Sequence, residues 1–183
     1  MTAYIALLRG INVGGKNKIE MKALKTAFVE AGFSDVRTYI NSGNVLFRSD
    51  KNEATVKTVC ETSIAENFNL DIPVCVISVA DLRAAVSHAP GWWGHDHDSK
   101  HNAIFVILPM TTAEVLSQIG NISSEYEKID YHGRVIFWSA PMATFSRTRL
   151  TKIVQNKSVY NAITVRNANT AFKLADLTQV PKL

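Results

Sequence analysis

The feature that most constrains the fold is a pair of strand-like segments separated by only four residues. Val36, Thr38 and Ile40 alternate with more polar side chains, and after Asn41-Ser42-Gly43-Asn44 the returning strand is predicted from Val45 to Arg48. Asn, Ser and Gly in so short a connection indicate a tight hairpin turn. Strands joined in this way are antiparallel, because parallel neighbours need a crossover of about a dozen residues or more. The hairpin therefore argues against a parallel α/β sheet.

This hairpin lies inside a β-α-β-β-α-β order that fills residues 3–79. An apolar run at 3–8 predicts the first strand, and apolar residues at helical spacing predict helices near 21–31 and 56–64. Another apolar run at 74–79 predicts the last strand. A segment order of this kind is typical of the ferredoxin-like, or split β-α-β, sheet with helices on one face.

The same order recurs, less regularly, in the rest of the chain. Thr111 followed three residues later by Glu114 predicts a capping box at the start of a helix. His132-Gly133 predicts the turn of a second hairpin. The predicted strands are 103–108, 128–131, 135–139 and 162–165, and the predicted helices begin near Thr111, Leu150 and Thr170.

The predicted fold is therefore α+β, with two ferredoxin-like (βαββαβ) subdomains that have antiparallel sheets. We assign residues 1–80 to the first subdomain and 81–101 to a linking helix and polar connector. Residues 102–183 form the second subdomain, which ends in a basic segment. Right-handed crossovers place the third strand between the first and second. The loop 10–18 and the turn 41–44 should then be neighbours at one end of the first sheet.

Two sequence motifs resemble an uncharacterised bacterial family, domain of unknown function 1697. They are Leu8-Arg9-Gly10-Ile11-Asn12-Val13-Gly14-Gly15-Lys16-Asn17 and Val36-Arg37-Thr38-Tyr39-Ile40-Asn41-Ser42-Gly43-Asn44-Val45. Arg166-Asn167-Ala168-Asn169-Thr170, with Lys173 and Leu174 after it, is similar to the C-terminal motif of that family. The resemblance implies two ferredoxin-like subdomains. It implies no activity, cofactor or partner.

The cellular setting is predicted from the cysteines and from hydropathy. Cys60 and Cys75 both fall within apolar patterns, on a predicted helix and a predicted strand, which favours a reducing compartment. No segment approaches the ~18 consecutive apolar residues that a membrane-spanning helix needs. The N-terminal apolar run ends at Arg9 and lacks a basic lead-in, so it predicts a strand rather than a signal peptide. We expect a cytoplasmic protein without a membrane partner.

The net charge of +4 hides an uneven distribution of charge along the chain. Residues 1–132 contain 12 Lys and Arg against 15 Asp and Glu, whereas residues 133–183 contain eight Lys and Arg against Asp176 alone. A segment this basic favours an anionic partner, or the acidic part of its own molecule. A solvated basic surface without a partner is the alternative.

The glycine-rich loop after the first strand is the first candidate site. Gly10 and Gly15-Lys16-Asn17 are one residue type short of a phosphate-binding P-loop, since Asn17 replaces the Ser or Thr that holds Mg²⁺. This departure argues against ATP or GTP hydrolysis. A glycine-rich turn that opens a helix is still a general anion site, and glycines that serve only a tight turn are the alternative. The candidate ligand-binding residues are Arg9, Asn12, Gly14, Gly15, Lys16, Asn41, Ser42 and Asn44.

Two basic stretches near the C-terminus, Ser146–Lys152 and Arg166–Lys173, form the second candidate site. Each joins a predicted strand to the start of a predicted helix, at the end of the second sheet opposite its hairpin. Helix N-termini with Arg and Lys favour phosphate or carboxylate groups. Simple helix capping, with the arginines paired to acids elsewhere, is the alternative. The candidate residues for an anion or a nucleic acid are Arg147, Arg149, Lys152, Arg166, Asn167 and Lys173.

The connector contains three histidines, His95, His97 and His101, together with Asp96 and Asp98. Their spacing matches no closed zinc site and lacks the i, i+4 regularity of a helical site. We therefore predict a polar connector and no metal, and the sequence implies no cofactor. The neighbouring tryptophans either cap the core or stack on a ligand.

No set of catalytic residues emerges from the sequence, and three hypotheses for the function remain open. The first is a binding protein for an anionic partner, with RNA or DNA as the leading candidate. The second is an enzyme or sensor for a small phosphorylated or carboxylated molecule at the loop and hairpin. The third is a structural or assembly role. Nothing in the sequence specifies an oligomeric state.

Overall fold

A computed structural model describes residues 1–153 and 156–178 of the chain. The chain divides into two compact units, Met1–Ala80 and Asp81–Leu183. Each unit contains one four-stranded sheet, and every strand pair in both sheets is antiparallel. No helix in the described ranges combines the length and the apolar character needed to cross a bilayer.

The first unit has the predicted β-α-β-β-α-β order. Its elements are β1 (Thr2–Leu8), α1 (Met21–Glu30), β2 (Ser34–Tyr39), β3 (Asn44–Ser49), α2 (Glu53–Phe68) and β4 (Val74–Ser78). The strand order in the sheet is β2-β3-β1-β4. The third strand therefore lies between the first and second, as the sequence predicts for a ferredoxin-like sheet.

A hydrophobic core between the two helices and one face of the sheet stabilises this unit. Leu24 and Phe28 of α1 and Ile64 of α2 are fully buried against strand residues such as Phe47. The ring centroids of Phe28 and Phe47 are 5.6 Å apart in an edge-to-face arrangement. Each buried side chain of this size stabilises the fold by about 1.5–3 kcal/mol. The amphipathic stripes read from the sequence thus correspond to the core side of each helix.

The second unit repeats this topology with additional helices. Its elements are α3 (Val79–Ser87, which starts at the end of the first unit), β5 (Ser99–Val106), α4 (Thr112–Ile119), β6 (Lys128–His132), β7 (Val135–Pro141), a 3₁₀ helix (Met142–Arg147), α5 (Arg149–Ile153), α6 (Lys157–Asn161), β8 (Ile163–Asn167) and α7 (Ala168–Leu177). The strand order is β6-β7-β5-β8, equivalent to that of the first sheet. Two ferredoxin-like subdomains are therefore confirmed. The apolar spacing of Leu150, Ile153 and Val154 predicts the helix near Leu150, and Val154 lies outside the described residues.

The connector is more ordered than its composition indicates. Strand β5 begins at Ser99, so the last three residues of the predicted connector pair with β7. Trp93 is fully buried, and its indole N–H donates to the carbonyl oxygen of Asn102 at 3.0 Å. The ring of Trp93 contacts the rings of Phe137 and Phe172, at centroid distances of 4.9 and 5.0 Å. Trp93 therefore serves as a core residue.

Helices pack on both faces of the second sheet. Val115 of α4 and Ile153 of α5 share a core with Ile136 and Trp138 of β7. Phe137 points to the opposite face, because successive strand residues alternate between faces. There Trp93 joins Phe137 to Phe172 of α7. Helix α7 thus lies on the opposite face of this sheet from α4 and α5.

Candidate functional site

The glycine-rich loop and the β2–β3 turn are neighbours, as the topology predicts. The side-chain amide of Asn12 donates to the carbonyl oxygens of Asn41 (2.8 Å) and Ile19 (2.9 Å). Its side-chain oxygen accepts from the backbone N–H of Ile19 at 2.9 Å. The backbone N–H of Leu8 donates to the carbonyl oxygen of Gly43 at 2.8 Å. The amide and the oxygen of the Asn12 side chain are therefore both engaged in hydrogen bonds that hold the loop and the turn together.

The loop itself is a small hairpin. Lys16 donates its backbone N–H to the carbonyl oxygen of Val13 at 3.0 Å, and Asn12 donates to Asn17 at 3.2 Å. The two glycines between Val13 and Lys16 have φ angles of 57° and 76°, which is the requirement of a type I′ turn. The side-chain amide of Asn17 donates to the carbonyl oxygen of Gly10 at 3.0 Å. Gly14 and Gly15 thus serve the turn.

This geometry corrects the interpretation of the loop as a helix-opening anion site. Helix α1 begins at Met21, and its N-cap residue Glu20 makes no side-chain capping hydrogen bond. The glycines lie several residues before that helix and close a hairpin, so they do not present the helix N-terminus to a ligand. The P-loop arrangement requires the glycine loop to lead straight into a helix. The loop therefore differs from a P-loop both in its residue at position 17, which is Asn, and in its backbone, which closes a hairpin.

The β2–β3 turn is held together mainly from within. Asn44 is fully buried, and its side-chain amide donates to the carbonyl oxygen of Tyr39 (2.9 Å) and to the hydroxyl of Ser42 (3.0 Å). Gly43 has a φ of 76°, and a Cβ atom there would lie 2.7 Å from the side chain of Ile11. Asn44 and Gly43 therefore shape the turn, while Asn41 is exposed and Ser42 is half-buried.

Two cationic and two apolar side chains stand out around this loop and turn. Lys16 and Lys18 are exposed, and neither forms an ion pair with any residue that the structure describes. Arg9 is half-buried, and its backbone N–H donates to Pro73 at 3.3 Å. Val13 is 65% exposed and Ile40 is 47% exposed. The apolar pair has no distinct signal in the sequence, because Ile40 fits the alternation of β2 and Val13 has no periodic neighbours.

The second candidate site forms a basic surface on the 3₁₀ helix and α5. Arg147, Arg149 and Lys152 are exposed there. The guanidinium of Arg147 lies 5.7 Å from the ring centroid of Tyr126. Lys100, which sequence analysis did not single out, belongs to the same surface because its ammonium lies 3.8 Å from the ring centroid of Phe145. We refer to Lys100, Arg147, Arg149 and Lys152 as the basic surface.

A buried carboxylate fixes the position of this surface. Glu127 is only 3% exposed and accepts from the indole N–H of Trp138 and from the backbone N–H of Arg149, both at 2.7 Å. Trp138 in turn packs edge-to-face on Phe145, with 5.7 Å between the ring centroids. A chain of contacts thus runs from Phe145 through Trp138 and Glu127 to the start of α5. Glu127 holds the backbone of Arg149 and leaves its guanidinium outside.

The remaining predicted residues are separated from the basic surface. Arg166 is buried and donates to the hydroxyl of Thr164 (3.0 Å) and the carbonyl oxygen of Val165 (2.9 Å) within β8. Asn167 is the N-cap of α7 and accepts from Thr170 N–H at 2.8 Å. Lys173 is exposed on α7, which packs on the other face of the sheet. The ends of β7 and β8 do lie at the predicted end of the sheet, but the helices that follow them diverge.

The histidines of the connector do not form a cluster. His95 and His97 are exposed, whereas His101 is buried on β5, with Nδ1 2.9 Å from the hydroxyl of Ser139 and Nε2 3.2 Å from a carboxylate oxygen of Asp96. The hydroxyl of Ser99 is the main reason that the pKa of Asp96 lies below its usual value, and His101 adds to this effect. No group of three metal-binding side chains occurs in the described part of the chain.

Comparison with known proteins places this chain among proteins whose function is not established. The solved structure of a conserved bacterial protein from Streptococcus pneumoniae is 30% identical, with a TM-score of 0.85, and the match covers 97% of this chain and 99% of that one. An unknown protein from Galdieria sulphuraria is 11% identical over 91% of this chain and 96% of that one, with a TM-score of 0.28, too low to support an argument. No curated protein matches. A family model matches residues 1–137, and the chain therefore belongs to the family described as a protein of unknown function, DUF1697.

Proposed function

We propose that this DUF1697 protein binds single-stranded RNA or DNA through the basic surface. The observation that carries the proposal is the set of four exposed cations on that surface, two of which lie over aromatic rings. None of the four forms an ion pair with a residue that the structure describes. Cations that are not neutralised within their own unit attract an external polyanion.

The sheets themselves are poor candidates for the binding surface. Ferredoxin-like RNA-binding domains stack bases on an open sheet face. Here β1 has five consecutive buried residues and β7 has six, so both faces of these strands are covered. The proposal therefore places the nucleic acid on the loops and short helices at the end of β7.

A single strand suits this surface better than a duplex, because Tyr126 and Phe145 are half-buried rings at the same place as the cations. Stacking a base on such a ring contributes about 1–3 kcal/mol and does not depend on sequence. Each phosphate contact to a single strand makes the slope of log affinity against log salt more negative by about 0.7. If all four cations contact phosphates, we expect a slope of about −3.

The binding test uses fluorescence anisotropy with labelled single-stranded RNA and DNA oligomers of about 15 nucleotides, a length near the upper site size of small binding domains. The double variant Arg147→Ala/Arg149→Ala should weaken binding and lower the magnitude of the salt slope by about 1.4, or 0.7 for each lost contact. Lys22→Ala/Lys25→Ala removes the same charge from exposed positions on α1 and should leave the slope unchanged. Equal losses in the two double variants would refute the proposal, since binding would then follow net charge alone.

The second candidate is a small phosphorylated or carboxylated ligand at the loop and turn. Lys16 and Lys18 favour it, because they are exposed there and no ion pair with a described residue occupies them. Asn12 and Asn44 weigh against it, because their side chains already hydrogen-bond to the protein. A thermal-shift screen with sugar phosphates and nucleotides tests it, since a ligand of the folded state raises the unfolding temperature. A shift that survives moderate salt and disappears in Lys16→Ala/Lys18→Ala would favour this candidate over nucleic acid.

A further inference from the structure

The backbone of Ile40 is strained at a position where burial does not offset the strain. Ile40 has a φ of 47° and its side chain is 47% exposed. Left-handed φ angles are unfavourable for β-branched residues, because the Cβ substituents crowd the backbone. Strain that persists at an exposed position points to a function, because stability alone would favour Asn or Gly there.

A second exposed apolar residue lies beside Ile40. Val13 is 65% exposed at the tip of the small loop hairpin. The hydrogen bond between the Asn12 side chain and the Asn41 carbonyl joins the residues that flank Val13 and Ile40. Val13 and Ile40 therefore lie on two neighbouring segments of the first unit, although they are far apart in sequence.

Hydrogen bonds within the first unit hold this loop and turn together. Asn12 makes three hydrogen bonds that tie the loop to the turn and to Ile19. The backbone hydrogen bond from Lys16 to Val13 closes the hairpin at its turn, and the hydrogen bond from the Asn17 side chain to the Gly10 carbonyl oxygen closes it at its base. A partner that binds a preorganised loop loses less conformational entropy than one that must order it. Exposed apolar side chains on a hydrogen-bonded loop therefore favour docking of a partner.

The charge beside the apolar pair identifies the kind of partner. Lys16 and Lys18 are exposed at the same hairpin, and the described part of the chain provides no ion-pair partner for either. Aliphatic side chains offer no flat ring on which a nucleic-acid base can stack. An acidic peptide segment that carries large apolar side chains complements both the lysines and the aliphatic pair.

We propose that Val13, Lys16, Lys18 and Ile40 form a docking surface for an acidic segment of a partner protein. This inference concerns the first unit and is independent of the proposed nucleic-acid binding by the second. Apolar anchors provide most of the affinity in such contacts, and the lysines steer the encounter and select the partner.

The test is selection of short random peptides on the immobilised full chain, followed by affinity measurement of the enriched peptides. We expect enriched peptides that combine Asp or Glu with Leu, Ile, Phe or Trp. Val13→Ser and Lys16→Glu/Lys18→Glu should each weaken their binding about tenfold or more. Val29→Ser and Lys22→Glu/Lys25→Glu are matched controls, because Val29 is 51% exposed and both lysines are exposed on α1. The controls should leave peptide affinity unchanged.

Ile40→Asn separates docking from folding. Asn tolerates the left-handed region, so the substitution should raise the unfolding temperature while it weakens peptide binding. A variant that is more stable and binds less cannot have lost binding through unfolding. The proposal is overturned if no peptide is enriched, if the enriched peptides are not acidic, or if they bind Val13→Ser and Ile40→Asn as tightly as the unmodified protein.

Discussion

Replacing Gly43 by Ala tests whether the loop and the β2–β3 turn pack as described. A Cβ atom at this position would lie 2.7 and 2.9 Å from two side-chain atoms of Ile11 and 2.9 Å from Cβ of Leu8. Gly15 is a matched control, because it has the same φ of 76° and a Cβ atom added there would meet no heavy atom within 4 Å. The difference between the two variants therefore isolates the packing clash from the backbone penalty.

The expected magnitudes follow from these contacts. Ala in the left-handed region costs about 1–2 kcal/mol, and this cost should apply to both variants. Overpacking a close-packed site costs a further ~1–3 kcal/mol, which should apply to Gly43→Ala alone. The restriction that Ala imposes on the unfolded chain is the same in both variants and cancels in the comparison. Gly43→Ala should therefore be about 1–3 kcal/mol less stable than Gly15→Ala, and both variants should be less stable than the unmodified protein.

Urea unfolding followed by far-ultraviolet circular dichroism is the appropriate assay. Tryptophan fluorescence alone would not report on the first unit, because all three tryptophans lie within residues 92–138. With an m value of about 2 kcal/mol per molar urea, an extra clash of about 2 kcal/mol lowers the midpoint by about 1 M. Equal destabilisation of the Gly43→Ala and Gly15→Ala variants would refute the described packing of Ile11 against the turn.

Three further predictions concern individual side chains. Thr111→Ala removes the hydroxyl that is the main cause of the lowered pKa of Glu114, so this pKa should rise in an NMR titration. Loss of the N-cap should also lower the free energy of unfolding by about 0.5–2 kcal/mol in urea unfolding. The pKa of Asp96 is lowered by folding, so the stabilisation it provides should be present at neutral pH and lost as the pH falls below the ordinary Asp value of about 3.9. In thermal unfolding at a series of pH values, Asp96→Asn should therefore lessen the decline of stability in that acidic range. Cys60 and Cys75 are both buried, and burial raises the pKa of the Cys60 thiol. Neither thiol should therefore react with a thiol reagent near pH 8 until urea unfolds the protein. Rapid labelling of the native protein would contradict this prediction.

Much of the fold was predictable because local signals and topology agreed. The Asn-Ser-Gly-Asn turn forced an antiparallel pair, and the capping box at Thr111 is present in the structure with both of its hydrogen bonds. The chain order then left few arrangements of the four strands. The contact between Asn12 and Asn41 follows from that order, even though 29 residues separate them. A long-range contact was thus predictable without any signal in either residue.

Other elements were missed because their signals are weak or are shared with different structures. The 3₁₀ helix and α6, with six and five residues, are too short to show a helical period. Trp93 lies in a polar segment, and only its tertiary contacts reveal that it is a core residue. Glycines followed by lysine occur both in phosphate loops and in type I′ turns. The hydrogen bonds of Asn12 and Asn17 decide between these structures, and they depend on where the neighbouring segments lie.

The candidate site shows why charge in a sequence identifies a class of partner better than it identifies residues. Arg147 and Arg166 both lie in a segment with a large excess of positive charge. Arg166 is buried because it follows the inward alternation of β8, where Thr164 and Val165 accept its hydrogen bonds. Arg147 ends a 3₁₀ helix and stays in solvent over an aromatic ring. Only the exposed arginine can exchange water for a phosphate at low cost, since a buried guanidinium would first have to give up its present hydrogen bonds.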